Sequence, residues 1–213
     1  MPTTPDKPID KPIILSASSP LDQAVAAFRA GGTVIYPTET FYALGVDPFN
    51  PDAIGRLYAL KGRSDKSPVS VIVRDAAMLA LITGRIAPLS ADLIKRFWPG
   101  PLTLIFDASV SVPAALTAKT GSVGARVSSN PVCQRLLDAL NAPITATSAN
   151  PAGKRPPVEV SEVMDYFGGS MDVVIDAGPL PGTKGSTIVD CRMGRIEVVR
   201  PGEIPASEIM RRL

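Results

Sequence analysis

Apolar and polar positions along the chain follow two different periods, which predict strands interleaved with helices. Short apolar runs rich in β-branched residues are typical of buried strands, whereas apolar residues three or four positions apart are typical of helices. The runs predict strands at 33–36, 69–73, 102–106, 123–127, 144–146, 173–175, 187–189 and 196–199. The apolar stripes predict helices at 21–30, 51–60, 76–82, 90–97, 131–140, 159–167 and 206–212.

Several helix limits carry a signal of their own. The pairs Asn50–Pro51 and Asn130–Pro131 place a capping amide before a proline at the first helical position, and Ser19–Pro20 repeats the arrangement with a hydroxyl. Asn141 is able to end a helix in the left-handed conformation. We therefore expect side-chain caps at Ser19, Asn50 and Asn130.

The order of these elements indicates the fold class. Strands that are mostly separated by helices favour a three-layer α/β body, a twisted sheet flanked by helices. The last two predicted strands lie close together in sequence, so they should form an antiparallel hairpin and the sheet should be mixed. No internal repeat or linker interrupts residues 15–213, which predicts one domain after a Pro-rich, flexible tail at residues 1–14.

Composition narrows the class of protein and of chemistry. The chain has 213 residues, 45% of them hydrophobic, and no apolar run approaches the ~18 residues of a membrane span. The first residues lack the apolar core of a signal peptide, and the two cysteines fit structural roles, so we expect a cytoplasmic protein. Histidine is absent, which excludes Ser–His and Cys–His dyads and any His-ligated metal.

Five polar or glycine-rich segments directly follow predicted strands or helices, at 37–42, 61–67, 122–126, 147–153 and 185–187. Lys61 and Arg63 would hold one anion between them if the backbone is extended, or form a solvated helix end. Arg126 lies in an apolar strand pattern, so it needs an anionic partner, either a core carboxylate or a ligand. The run 147–150 suits either a phosphate-binding nest or an ordinary turn.

Seven short motifs occur in one order along nearly the whole chain, and together they resemble the YrdC-like L-threonylcarbamoyladenylate synthases of the single-domain type. They are P-T-E-T-F-Y-A-L-G (37–45), K-G-R (61–63), W-P-G-P-L-T (98–103), V-G-A-R (123–126), T-S-A-N (147–150), S-T-I-V-D (186–190) and R-P-G (200–202). Each motif alone is weak, but their common order is specific. The resemblance implies a YrdC-like fold, in which a twisted mixed sheet carries a concave, positively lined groove.

The resemblance also implies a reaction, in which ATP, bicarbonate and L-threonine give threonylcarbamoyl-AMP and pyrophosphate. A separate tRNA threonylcarbamoyl transferase would pass the threonylcarbamoyl group to the adenosine beside the anticodon. The protein would neutralise the triphosphate charge and align two anions, which needs no histidine. Mg²⁺ would come with ATP, mostly on water ligands, because no carboxylate cluster predicts a protein metal site.

The same resemblance assigns side chains to the two substrates. Those expected to bind ATP are Lys61, Arg63, Ser67, Ser122, Ser148, Asn150 and Arg200, of which Lys61 and Arg63 would also be catalytic. Those expected to bind threonine are Thr38 or Thr40, Arg126 and Ser186. Arg126 would hold the amino-acid carboxylate as a bidentate fork.

Four positions, Ala43, Ser67, Ser128 and Pro156, depart from the family pattern, and these differences affect individual hydrogen bonds to ATP.

Two other classes of function stay open. One is a paralogue that binds nucleotide for another carbamoyl acceptor, which the intact K-G-R and S-T-I-V-D motifs disfavour. The other is a non-enzymatic RNA-binding module, or weak RNA binding beside the enzyme activity. A net charge of only +2 and 5% aromatic residues disfavour a dedicated RNA-binding module.

Overall fold

The structure is a computed structural model that describes residues 11–62, 67–182 and 184–211. Within these residues the chain alternates between strands and helices. The strands are β1 (Ile13–Ser16), β2 (Val34–Pro37), β3 (Tyr42–Gly45), β4 (Ser70–Ile72), β5 (Leu102–Asp107), β6 (Ser122–Arg126), β7 (Ile144–Ser148), β8 (Val173–Asp176), β9 (Thr187–Asp190) and β10 (Glu197–Arg200). The helices are α1 (Asp22–Arg29), α2 (Pro51–Lys61), α3 (Ala76–Leu79), α4 (Pro88–Phe97), α5 (Pro131–Leu140), α6 (Val160–Phe167) and α7 (Ala206–Met210).

The ten strands form one mixed sheet in the order β1-β8-β2-β3-β7-β4-β6-β5-β9-β10. The β1/β8, β2/β8, β4/β6 and β5/β9 pairs are parallel, whereas the other neighbours are antiparallel, including the β9–β10 hairpin. The predicted α/β class, mixed sheet and final hairpin are therefore confirmed. All eight predicted strands occur, with limits shifted by at most two residues.

Two strands were not predicted. β3 pairs with β2 through Pro37 and Tyr42, so the P-T-E-T motif is the turn of a hairpin rather than a loop that leaves the sheet. β1 is an edge strand that includes residues 13 and 14, which the sequence had placed in the tail. The division into tail and domain otherwise stays a prediction.

Two of the three predicted helix caps are confirmed. The Asn50 side chain accepts from the backbone N–H groups of Asp52 and Ala53, and Asn130 caps α5 in the same way. Asn141 ends α5 with φ of 48°, as predicted. The cap at Ser19 is wrong, because α1 begins after Leu21 without a side-chain cap and the Ser19 hydroxyl bonds to Ser16 instead.

Both cysteines are buried and unpaired, which is consistent with structural roles. Burial raises the pKa of the Cys133 thiol to about 12 and also raises the pKa of Cys191. Because the thiolate is the reactive form, we expect iodoacetamide at neutral pH to label the native protein more than about 100-fold more slowly than the denatured protein. Mass analysis of the two digests measures this ratio. Rapid labelling of either native thiol would show that the burial is wrong.

In the part of the chain that the structure describes, no helix is both long enough and apolar enough to span a membrane.

Candidate functional site

A cavity of about 410 Å³ opens on the central part of the sheet. Six of the eleven side chains that the sequence assigned to substrates line it, and they come from motifs far apart in the chain. They are Thr38, Thr40, Arg126, Ser148, Ser186 and Arg200. Lys184, which the sequence did not single out, adds an exposed cation. The cavity is therefore polar and carries three cationic side chains, which suits an anionic ligand.

The floor of the cavity is made of small residues that neighbouring strands place side by side. Ala43 of β3 pairs with Ser148 of β7, and Ala146 of β7 pairs with Ser70 of β4. Beside this row, a Cβ atom on Gly124 of β6 would lie 2.6 Å from the Ser70 Oγ, so glycine leaves room for the serine. Small side chains leave space above a sheet that would otherwise be filled by packing. The site thus lies over the sheet face as well as at the strand ends, where the sequence had placed it.

The two threonines in the turn between β2 and β3 have different roles. The Thr38 hydroxyl accepts from the backbone N–H groups of Thr40 and Phe41 and donates to the carbonyl of Phe41 at 2.7 Å. The hydroxyl of Thr40 lies 3.1 Å from that of Thr38. Because the single Thr38 proton is already donated, Thr38 stabilises the turn. Thr40 is the better candidate for contact with a ligand.

Arg126, at the end of β6, lines the cavity although it is only 7% exposed. Its Nε lies 3.1 Å from the Glu39 Oε1, but these two atoms do not have hydrogen-bond geometry. Among the described residues, no side chain or carbonyl accepts a hydrogen bond from this guanidinium. A buried arginine with one carboxylate neighbour and several unused donors fits both sequence interpretations, a core ion pair and an anion-binding group.

Ser186 and Arg200 form a second polar wall. The Ser186 hydroxyl lies 2.8 Å from that of Thr103, and the Arg200 Nη2 donates to the Ser186 carbonyl at 2.8 Å. Both Ser186 and Thr103 are buried. The contact with Arg200 holds the start of β9 against the end of β10, so the serine hydroxyl and the guanidinium keep a fixed relative position. Thr103 was not among the predicted site residues.

Lys61 is fully buried, so its interpretation as a solvated helix end is wrong. Its ammonium group donates to the carbonyls of Ser148 (2.5 Å) and Asn150 (2.7 Å), just after β7. The Asn150 side chain donates to the carbonyls of Pro151 and Lys154, while its buried Oδ1 accepts no hydrogen bond from the residues that the structure describes. The helix end thus fixes the T-S-A-N segment, and one buried acceptor there has no hydrogen-bond donor within the described part of the chain.

The family model for Sua5, YciO and YrdC proteins, described as "Telomere recombination", matches residues 26–202. The chain belongs to this family. Three members of the family are similar to most of this chain, one compared by sequence and two by structure. The threonylcarbamoyl-AMP synthase of Halorhodospira halophila is 38% identical over 172 residues, which is 80% of this chain and 90% of that protein.

Two solved structures of the family share the fold described above. The crystal structure of P. abyssi Sua5 complexed with L-threonine has a TM-score of 0.90 at 30% identity and covers 95% of this chain, which spans 60% of that Sua5 chain. The crystal structure of E. coli YciO has a TM-score of 0.83 at 28% identity and covers 94% of this chain and 98% of its own. The YrdC-like fold is therefore confirmed.

The remaining predicted residues do not line the cavity or lie outside the described residues. Arg63 lies outside them. Ser67 is exposed next to the cavity residue Pro68. Ser122 begins β6, roughly 13 Å from Arg126 at about 3.3 Å per residue, and its hydroxyl bonds to Thr120. Their contacts with ATP stay predictions.

Gly202 of the R-P-G motif packs closely against the chain around Ser186, and its replacement tests this packing. A Cβ atom there would lie 2.3 Å from the Gly185 carbonyl oxygen and 2.4 Å from the Thr187 nitrogen. We expect Gly202→Ala to displace the start of β9 with its Ser186, lowering the free energy of unfolding by about 1–3 kcal/mol and weakening ligand binding. Urea unfolding and ligand titration measure the two effects.

Gly55→Ala is the matched control, because a Cβ atom on Gly55 in α2 would meet nothing within 4 Å. Alanine in a helix interior should stabilise the protein by about 0.5–1 kcal/mol and leave ligand binding unchanged. Equal behaviour of the two variants would contradict the close packing at Gly202.

Proposed function

We propose that this protein is a threonylcarbamoyl-AMP synthase, which converts ATP, bicarbonate and L-threonine into threonylcarbamoyl-AMP and pyrophosphate. The observation that carries the proposal is the buried Arg126, whose guanidinium faces the cavity with unused donors. An amino-acid carboxylate would accept two parallel hydrogen bonds from this group. The name of the H. halophila relative and the threonine complex of P. abyssi Sua5 support the same assignment.

In this proposal threonine binds between Arg126, Thr40 and Ser186. Arg126 holds the carboxylate, and the two hydroxyls, which line the same cavity, bind the remaining polar groups of the amino acid. The small floor residues leave room for the threonyl chain beside the nucleotide. Binding both substrates in one cavity aligns the two reacting groups and lowers the entropic cost of bringing them together.

The chemistry proceeds in two balanced steps. The threonine amine attacks the carbon of bicarbonate, and loss of water gives a carbamate. A carbamate oxygen then attacks the α-phosphorus of ATP, the bond to the β-phosphate oxygen breaks, and pyrophosphate leaves. The nucleophile is already an anion, so the second step needs no protein base, and the main task of the site is charge neutralisation.

ATP would bind in the same cavity through Ser148 and Arg200, and Lys184 would contribute a further cation for the phosphates. Lys61 and Asn150 do not line the cavity, and they would act on the nucleotide through the T-S-A-N segment that Lys61 anchors. Arg63, Ser67 and Ser122 keep the nucleotide roles that the resemblance assigns to them.

Mg²⁺ would arrive on the phosphates of ATP with water as its other ligands. Among the described residues no cluster of three or more His, Cys, Asp or Glu side chains could hold a metal ion. This donor set does not provide a protein cage, so the proposal gives Mg²⁺ no protein ligand.

The acyl adenylate is a labile product, so a tRNA threonylcarbamoyl transferase must bind it before it is hydrolysed. Because the acceptor is tRNA, we place the protein in the cytoplasm. Weak RNA binding would accompany this hand-over, and its affinity should fall steeply with salt because it depends on phosphate contacts.

Pyrophosphate release tests the proposal. With purified protein and Mg²⁺–ATP, we expect release only when L-threonine and bicarbonate are both present, as measured by a coupled pyrophosphate assay. L-Valine, which replaces the threonine hydroxyl by a methyl group, is the matched control. Release without threonine would reduce the protein to a general ATPase, and absence of release with ATP binding retained would favour the paralogue with another carbamoyl acceptor.

A further inference from the structure

Ser128 lies two residues beyond β6 and is fully buried. Its hydroxyl accepts from the backbone N–H of Asn130 at 3.2 Å and forms a short hydrogen bond with the Glu39 Oε2. A hydroxyl carries one proton, and the carboxylate can only accept, so Ser128 donates that proton to Glu39. No other hydrogen bond reaches the Glu39 carboxylate from the described residues.

The other oxygen of Glu39 is the one that faces Arg126, 3.1 Å from its Nε. Because Ser128 binds Oε2, the carboxylate presents only Oε1 to the guanidinium. A carboxylate that is free to rotate prefers a bidentate contact with arginine, with two parallel N–H···O bonds. Such a contact through Nε would also occupy an Nη donor, which a bound amino-acid carboxylate needs for its own bidentate contact.

A second contact supports the β2–β3 turn without the Ser128 side chain. The Asn130 side chain donates to the Thr38 carbonyl at 3.2 Å while its oxygen caps α5. This contact joins α5 to the β2–β3 turn and does not involve the Ser128 side chain. Loss of the serine hydroxyl should therefore release the Glu39 carboxylate and leave the turn in place.

We propose that Ser128 is a positioning residue for threonine binding, which holds Glu39 in a single-atom contact with Arg126 and so keeps the guanidinium fork available to the substrate carboxylate. The proposal rests on the threonine site described under the proposed function. It adds Ser128 and Glu39 to the residues that determine amino-acid affinity. Neither residue touches the substrate in this arrangement.

The test is calorimetric titration of the full chain with L-threonine and, separately, with ATP. We expect Ser128→Ala to weaken threonine binding about 3- to 10-fold, the usual net effect of one hydrogen bond, and to leave ATP affinity unchanged. In steady-state kinetics the KM for threonine should rise while kcat and the KM for ATP stay constant. Ser90→Ala, which removes another buried hydroxyl outside the cavity, should change neither affinity.

Two further comparisons keep the test decisive. Ser128→Thr and Ser128→Val have the same shape, and only threonine keeps the hydroxyl, so the threonine variant should bind L-threonine about 5-fold more tightly than the valine variant. This pair replaces Ser128→Ala if alanine does not fold. In a Glu39→Ala background, Ser128→Ala should cause no further loss, because its effect passes through that carboxylate.

Unchanged threonine affinity in Ser128→Ala, with a wild-type protein that binds threonine, would overturn this inference and leave the proposed function intact. Equal losses of threonine and ATP affinity would also overturn it, because they indicate a general structural role. A wild-type protein that does not bind threonine would overturn both.

Discussion

Replacing Arg126 by lysine is expected to weaken L-threonine binding by about 1.5–3 kcal/mol while the protein stays folded. Lysine keeps the positive charge beside Glu39 but cannot form two parallel hydrogen bonds with a carboxylate. The buried charge therefore keeps its partner, and only the fork is lost. Calorimetric titration with threonine measures the loss, and circular dichroism checks the fold.

Arg96→Lys is the matched control, because this arginine lies in the last turn of α4 and is exposed. It should bind threonine as the wild type does. If Arg126→Lys also bound threonine normally, the carboxylate assignment would be wrong. If it unfolded, Arg126 would act as one half of a structural ion pair, and the anion-binding interpretation would lose its main support.

Replacing Lys61 by methionine is expected to have the largest effect on stability. Methionine has a similar length, but it leaves the carbonyls of Ser148 and Asn150 without their buried donor. Unsatisfied buried acceptors should lower the free energy of unfolding by about 2–4 kcal/mol. Adenylate formation should disappear as well, since the T-S-A-N segment, which includes the cavity residue Ser148, loses its anchor.

Lys95→Met provides the comparison, because Lys95 is also in the last turn of a helix but is exposed. Its unfolding free energy should change by less than about 0.5 kcal/mol. Urea unfolding of the two variants, together with a pyrophosphate assay, tests the difference. A Lys61 variant as stable and as active as the Lys95 variant would contradict the buried anchor.

The sequence predicted most of the fold because its periods and caps agree with the final structure. The asparagine caps of α2 and α5 and the eight apolar runs are local signals that tertiary contacts did not override. β1 and β3 were not predicted because they depend on pairing with other strands. β1 pairs with a strand far away in the chain, and β3 pairs with β2 across a tight turn.

The site was predicted less completely, for reasons that depend on register and burial. The motifs identified six side chains that meet at the cavity, but the small floor of Ala43, Ala146 and Ser70 emerges only when the strands are paired. The burial of Lys61 was also hidden, since a lysine at a helix end is normally solvated. Its carbonyl partners are about 90 residues away in sequence.

The hydroxyl of Thr38 shows the same limit at shorter range. A threonine beside a strand end suggests a ligand contact, yet the turn itself uses this hydroxyl through Phe41. The choice between Thr38 and Thr40 therefore needed the geometry of the hairpin. Local sequence identified the right segment and left the assignment of its two hydroxyls open.

The most direct test of the account is mass spectrometry of the products formed from ATP, L-threonine and ¹³C-bicarbonate. The account predicts an acyl adenylate that carries one threonine and one ¹³C atom, formed in step with pyrophosphate and absent when threonine is omitted. An adenylate without the label, or ATP turnover that yields no threonine-containing adenylate, would contradict the proposed synthase activity.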